Sequence, residues 1–346
     1  HRDLHLSIRR QRQMCIRDST HGFMVDADRD KISKSRESSY AKPQTCEAYI
    51  GEYGADIVRL WVASQDFRND IIVSNERIKK VSDTYRNLRN ALRYQLSNLY
   101  DFDPAKDAVP DDALTGLDRW ILDQFADVQR DVTEAYERFE YHVVYQRISQ
   151  FVAVELSAVY HDCVKVRLYA DGANAPRRRA AQTTLHRLCA AFSRLLAPIC
   201  VFTAEEAWEF LPGNNVDSVH LADWPDETFD MAVEENAVWQ NLFAYREPAL
   251  AQLEKARQEK LIGKSLEARV TITAKPVDLE IAHAHAEPLR ELINVSQLEL
   301  VADENAEALT YTVTKAEGAK CVRCGRWETV WASIMTTRRF AGVVWK

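Results

Sequence analysis

Glycine and proline are scarce, ten of each in 346 residues. That is too few for a collagen-like chain, a low-complexity chain or a β-sandwich crowded with turns. No run of apolar residues approaches the roughly 18 needed to span a bilayer, so nothing is expected to cross a membrane. Positive charge is also in deficit: the net charge is −7, so any nucleic-acid contact must come from local patches and not from the whole-chain field. Seven cysteines are no disulfide framework; five stand alone, and Cys321 and Cys324 form one CxxC. In a reducing cytosol that pair points to metal or redox chemistry. What is present is an ordinary soluble balance, 46% hydrophobic and 28% charged residues, which excludes global disorder. The length predicts two or three folding units.

Residues 1–19 hold five arginines and two aspartates with no sustained period. A transit peptide starts this way, but a lead foreign to the gene or a disordered one is the expectation. After Trp327 the run ETVWASIMTTRRFAGVVWK has neither turn chemistry nor a partner for the CxxC, as a lost reading frame or a truncation would produce.

Between these ends lie strong helical stripes. Ala48 to Trp61 is a short one. Val81, Tyr85, Leu88, Leu92, Leu96 and Leu99 are spaced by four, three, four, four and three residues, up to Asp103-Pro104. Leu117–Phe139 and His142–Asp162 repeat the spacing, and Leu185 to Leu196 carries it to Pro198. Thr203-Ala-Glu-Glu206 reads as a capping box with Thr203 as N-cap. Four long amphipathic helices with short joints predict a helical bundle. After Leu211-Pro-Gly the pattern changes: a helix starting at Pro248 and closing at Gly263, a strand from Leu266, a short helix Glu287–Val295, and strands at Leu298–Val301 and Leu309–Val313. This predicts a small α+β unit.

Lys31-Ile32-Ser33-Lys34-Ser35 places two lysines and two serines on an expected loop. Compact ammonium charge with hydroxyl donors suits a polyphosphate, although a solvated loop reads the same way. Two cationic patches stand out against the acidic total. Arg77, Lys79, Lys80, Arg86, Arg89 and Arg93 face only Asp83. Lys165, Arg167, Arg177, Arg178, Arg179, Arg187 and Arg194 face only Asp171. Either could be a solvated helix face. His142, His161 and His186 read as packing residues, and Cys163, Cys189 and Cys200 as small core residues; His283 and His285 fit a loop or helix start.

The lysine–serine segment resembles the KMSKS loop of class I aminoacyl-tRNA synthetases, with isoleucine for methionine. His21-Gly22-Phe23-Met24-Val25-Asp26 resembles the strand and turn before that loop. Gly54 to Ser64 resembles the segment after it in the isoleucine, valine and leucine branch. Asp66 to Ser74, Val164 to Tyr169, Leu196 to Trp208, and Leu253 to Ala268 are similar to isoleucyl-tRNA synthetases. The likeness runs from Thr20 to Trp327.

The resemblance implies a mainly α fold: an anticodon-binding helical bundle at 67–215, preceded at 20–66 by the end of a Rossmann-type catalytic domain. A small α+β tRNA-contact unit at 216–320 follows, then half a zinc knuckle and a divergent tail at 321–346. It implies that Lys34 steadies the pyrophosphate leaving group of adenylate formation and that Lys31 to Ser35 bind ATP, with Mg2+ as cofactor. Both cationic patches become tRNA-facing, and Cys321 and Cys324 become half of the four-thiolate Zn2+ site of the intact family member. Isoleucine and tRNA(Ile) are the implied partners of a cytoplasmic monomer. The family's Gly-Asn after the loop is replaced by Arg36-Glu37-Ser38, and its His-x-Gly-His motif is absent, so the expected chain is inactive alone. A valyl enzyme and a non-catalytic RNA-binding helical module are the alternatives.

Overall fold

The computed structural model describes residues 21–26, 28–32, 45–226 and 228–329. Two short helices, α1 (Cys46–Tyr53) and α2 (Ala55–Ala63), lead to a long α3 (Asn75–Ser97), begun by Ser74, whose side chain accepts from the Arg77 N–H. α4 (Gly116–Glu137) and α5 (Tyr141–Phe151) follow. α5 runs without interruption through a π-helical stretch, Val152–His161, into α6 (Asp162–Ala170). Side-chain donors meet carbonyls of that widened stretch: Tyr94 Oη reaches His161 O at 3.0 Å, and Arg246 reaches Ala158 O at 3.2 Å. α7 (Pro176–Leu196) and α8 (Val201–Glu209) complete the helical body.

The predicted stripes converge on one core. Ile121, Phe125, Val144, Phe151, Leu185, Leu188 and Phe192 are buried within it, and the Phe125 and Phe151 rings lie 5.5 Å apart. The mainly α architecture expected from the periodicity is what the chain forms. Among the described residues no helix is long and apolar enough to cross a membrane.

Two helix starts depart from expectation. Thr203 is no N-cap: α8 begins at Val201, and Thr203 donates its hydroxyl to Asp56 Oδ2 at 2.7 Å, while Glu206 pairs with Arg89. The tertiary acceptor Asp56 displaces the local cap. Pro248 lies inside α9 (Val233–Gln258) and does not open it. Trp239, Leu242, Ala249, Leu253 and Ala256 keep one buried stripe on both sides of the proline, and Glu234 and Glu235 favour the earlier start.

The last unit is an α+β layer. β3 (Ala268–Ala274) alternates buried and half-buried residues and pairs in parallel with β4 (Gln297–Ala302), antiparallel with β5 (Thr310–Lys315). α10 (Pro276–Ala284) and α11 (Ala286–Ile293) form the parallel crossover. Asn294, at φ 59°, ends α11 and donates to Asp162 Oδ2 at 2.7 Å, which seats the unit on α6.

Candidate nucleic-acid interface

The chain before the KMSKS-like loop forms a tight strand–turn. β1 (Met24–Val25) pairs in parallel with β2 (Ile71–Ile72). A Cβ on Gly22 would stand 2.3 Å from the Asn69 backbone, so only glycine admits that approach. Asp26 Oδ1 accepts from the backbone of Asp28 and Asp30 and shapes the turn. Lys31 is exposed, its Nζ 4.1 Å from the Phe23 ring centroid. Ile32 donates its N–H to Met24 O at 3.1 Å. Ser33, Lys34 and Ser35 lie outside the described residues.

On α3 all six predicted cations are exposed. Lys79, Arg86 and Arg93 recur every seven residues, two helical turns, on the side away from Ile78, Val81, Leu88 and Leu92. Lys80 pairs with Glu76 at 3.1 Å, Arg86 with Asp83 at 3.2 Å and Arg89 with Glu206 at 2.7 Å. These pairs are exposed and screened, so each can exchange its acid for a phosphate at little cost.

The second patch is different, and the expectation needs correction at Arg167 and Arg178. Arg167 is 3% exposed; its Nη1 reaches Asp118 at 3.1 Å and Thr115 Oγ1 at 2.8 Å, and its Nε reaches Glu291 at 2.7 Å. Arg178, also 3% exposed, forks onto Asp101 at 2.7 and 2.9 Å. Arg179 contacts Asp107 at 3.4 Å, and Arg187 contacts Asp111 at 2.5 Å. Arg177 pairs with Asp171, Lys165 with Asp162, and Arg194 reaches the carbonyl of Ala190. Counting acids along the local sequence found one; folding brought Asp101, Asp107, Asp111, Asp118 and Glu291 from other segments. Arg167 and Arg178 are buried structural ions and present no face to RNA.

Electrostatics agree. Burial alone would raise the Glu291 carboxyl, but hydrogen bonds from Arg167 outweigh it and hold the group below the ordinary value. Asp101 behaves in the same way against Arg178 and Gln182. Burial pushes His161 down to about 3, so its imidazole is neutral as it stacks on Tyr94, ring centroids 4.2 Å apart.

Cys321 and Cys324 sit on a turn closed by Gly325, at φ 79°, whose N–H reaches Cys321 O at 2.9 Å. Among the described residues no group of three or more His, Cys, Asp or Glu could hold a metal. Two thiols do not satisfy a tetrahedral zinc by themselves.

Two features carried no sequence signal. A cavity of about 600 Å³ opens where α4, α9 and α11 meet, with Arg326 in its wall. A groove of about 450 Å³ holds Lys165, Arg257, Lys264 and Arg323 around Tyr169, and brings cations from both units together. Only the fold assembles either set.

Comparison with known proteins gives the class. Residues 118–272, from within α4 to the middle of β3, match the family described as the anticodon-binding domain of tRNA ligase. Over those residues the chain is similar to that domain family. The particular likeness is to isoleucyl-tRNA synthetases, as the sequence motifs imply. The chain is 44% identical over 321 residues to the isoleucine–tRNA ligase of Syntrophotalea carbinolica, covering 90% of this chain and 34% of that one. It is 39% identical to those of Desulfotalea psychrophila, over 88% of this chain and 34% of the relative, and Geobacter sulfurreducens, over 89% and 34%. The chain thus spans about a third of the length of the curated relatives it matches. The valyl alternative is not favoured.

Proposed function

We propose that this chain is the part of an isoleucine–tRNA ligase that holds tRNA(Ile), with the exposed cation stripe of α3 as its phosphate-contacting face. The observation that carries the reading is the stripe itself: Lys79, Arg86 and Arg93 project from a helix packed on the matched anticodon-binding bundle. Phosphate contacts supply affinity without sequence information; base reading would fall to unstacked anticodon nucleotides. In this reading Lys31 to Ser35 attend ATP, and Lys34 lowers the energy of charge building on the pyrophosphate oxygens during adenylate formation. ATP and Mg2+ serve that step in the whole ligase, and Zn2+ would need thiolates beyond Cys321 and Cys324. The ligase would act as a cytosolic monomer.

The test is a salt titration of tRNA affinity for the native chain and the charge-reversed variant K79E/R86E/R93E. Each lost phosphate contact lowers the log–log slope by about one, so a fall of two to three is expected with an unchanged circular-dichroism spectrum. Equal slopes would remove α3 from the interface.

A further inference from the structure

We propose that the cavity between the helical bundle and the α+β unit is a phosphate-binding site, with Arg326 and Arg177 as its anion-holding residues. The cavity, about 600 Å³, lies among the start of α4 at Gly116, the Trp239 and Leu242 side of α9, and Glu291 of α11. Four arginines and four glutamates line it, Glu234 among them, but they do not pair one to one, and Arg177 takes Asp171 from outside the lining. Arg119 is matched by Glu235 at 2.7 Å. Arg167 uses both Asp118 and Glu291. Beside the cavity, Arg290 uses Glu287 and Glu328.

Arg326 is left over. It is 6% exposed, and among the described residues its buried Nε and Nη2 meet no acceptor. Arg290 and Arg177 are close enough to repel it, and the nearby carboxylate, Glu291, is already forked by Arg167. A buried guanidinium with unfilled donors and cationic neighbours is a costly arrangement unless an anion completes it. Residues 330–346 contain neither aspartate nor glutamate, so that stretch brings no side-chain carboxylate to Arg326.

The geometry selects the ligand class. A guanidinium fork binds two phosphate oxygens at once, and Arg326 beside Arg177 suits a dianion better than a single carboxylate. Arg177 is half exposed on the cavity wall and forked onto Asp171, so an entering anion meets it first and shares it with that carboxylate. A phosphate fills only part of the space. The wall of Val238, Trp239 and Leu242 is left for an apolar or flat body, so a nucleotide phosphate fits, either free or within RNA. Gly116 keeps that wall tight: a Cβ there would stand 2.9 Å from the Trp239 indole.

The experiment uses the whole chain and inorganic phosphate as the probe, at constant ionic strength, followed by titration calorimetry and thermal unfolding. The native chain should bind phosphate and unfold at higher temperature in its presence. Arg326→Met should weaken binding by about tenfold or more, the scale of a lost charged hydrogen bond. Should that variant lose its helical circular-dichroism signal, Arg177→Gln serves in its place, with a severalfold loss expected. No effect of phosphate beyond that of matched sodium chloride, or native affinity in a folded variant, overturns the proposal. A tRNA arm separates the two sources. A salt slope smaller by about one in Arg326→Met assigns the phosphate to bound RNA. An unchanged slope, with AMP competing against inorganic phosphate, assigns it to a free nucleotide. The phosphate arm needs no tRNA, so its failure is distinct from failure of the α3 reading.

Discussion

Arg167 of α6 and Glu291 of α11 meet across the joint of the two units, Nε to Oε1 at 2.7 Å, with the guanidinium also 3.1 Å from Asp118 of α4. One buried cation therefore ties the bundle to the α+β layer. Asp118 also accepts from Tyr160 Oη at 2.7 Å and Thr115 Oγ1 at 2.6 Å, so both of its oxygens are hydrogen-bonded. Arg167→Met leaves two carboxylates without their cation. A loss of about 3–5 kcal/mol in urea unfolding is expected, as for other broken buried pairs. A loss below 1 kcal/mol, about the value of an exposed pair, would show the network to be dispensable.

Arg178 and the α3 stripe should separate folding from binding. Arg178→Ala abandons Asp101, which is a quarter exposed, and should cost about 2–3 kcal/mol of stability. Reversing Lys79, Arg86 and Arg93 should leave the unfolding midpoint almost unchanged, because none of the three touches the core. Comparable destabilisation by both changes would contradict the division between structural and surface cations.

His161 predicts an acid sensitivity. Its folded value is about 3 against an ordinary 6.5, so below pH 6.5 the unfolded chain binds the proton and the folded chain does not. The stability it supports is complete above pH 6.5 and is lost as pH falls towards 3. From pH 6.5 to 5 the loss should be about 2 kcal/mol. His161→Gln should flatten that part of the stability curve; a parallel curve in the variant would mean that another group titrates there.

Gly22 guards the strand pair ahead of the lysine loop. Gly22→Ala forces a methyl carbon against the Asn69 backbone at 2.3 Å, which no side-chain rotation relieves. The N–H groups of Ile71 and Val73, now bonded to Phe23 O and Val25 O at 2.8 Å, should lose hydrogen-exchange protection, while those of α4 and α7 keep theirs. Unchanged protection at Ile71 would show that the turn absorbs the methyl group.

Helix position was legible in sequence because burial writes a period into it. The stripe Leu185, Leu188, Phe192, Leu195 marks α7, and alternation from Ala268 marks β3. The motif order also carried the family likeness, since several short segments at consistent spacing need no fold to be seen. Helix ends were less legible. Thr203 has the residue type of an N-cap, but Asp56, 147 residues earlier, takes its hydroxyl.

Charge pairing was legible only where partners are a helical turn apart, as in Arg86 with Asp83; pairing across segments was not. Lys79 and Arg178 look alike in sequence, each inside a basic run. One lies on the outer face of α3; the other is sealed against Asp101 by the packing of α7. Helical periodicity alone determined which residues would form the bundle, because hydrophobic burial repeats with the helix turn. Only tertiary structure decided which cations stay free for phosphate, because Coulomb partners are chosen by distance in space and not along the chain.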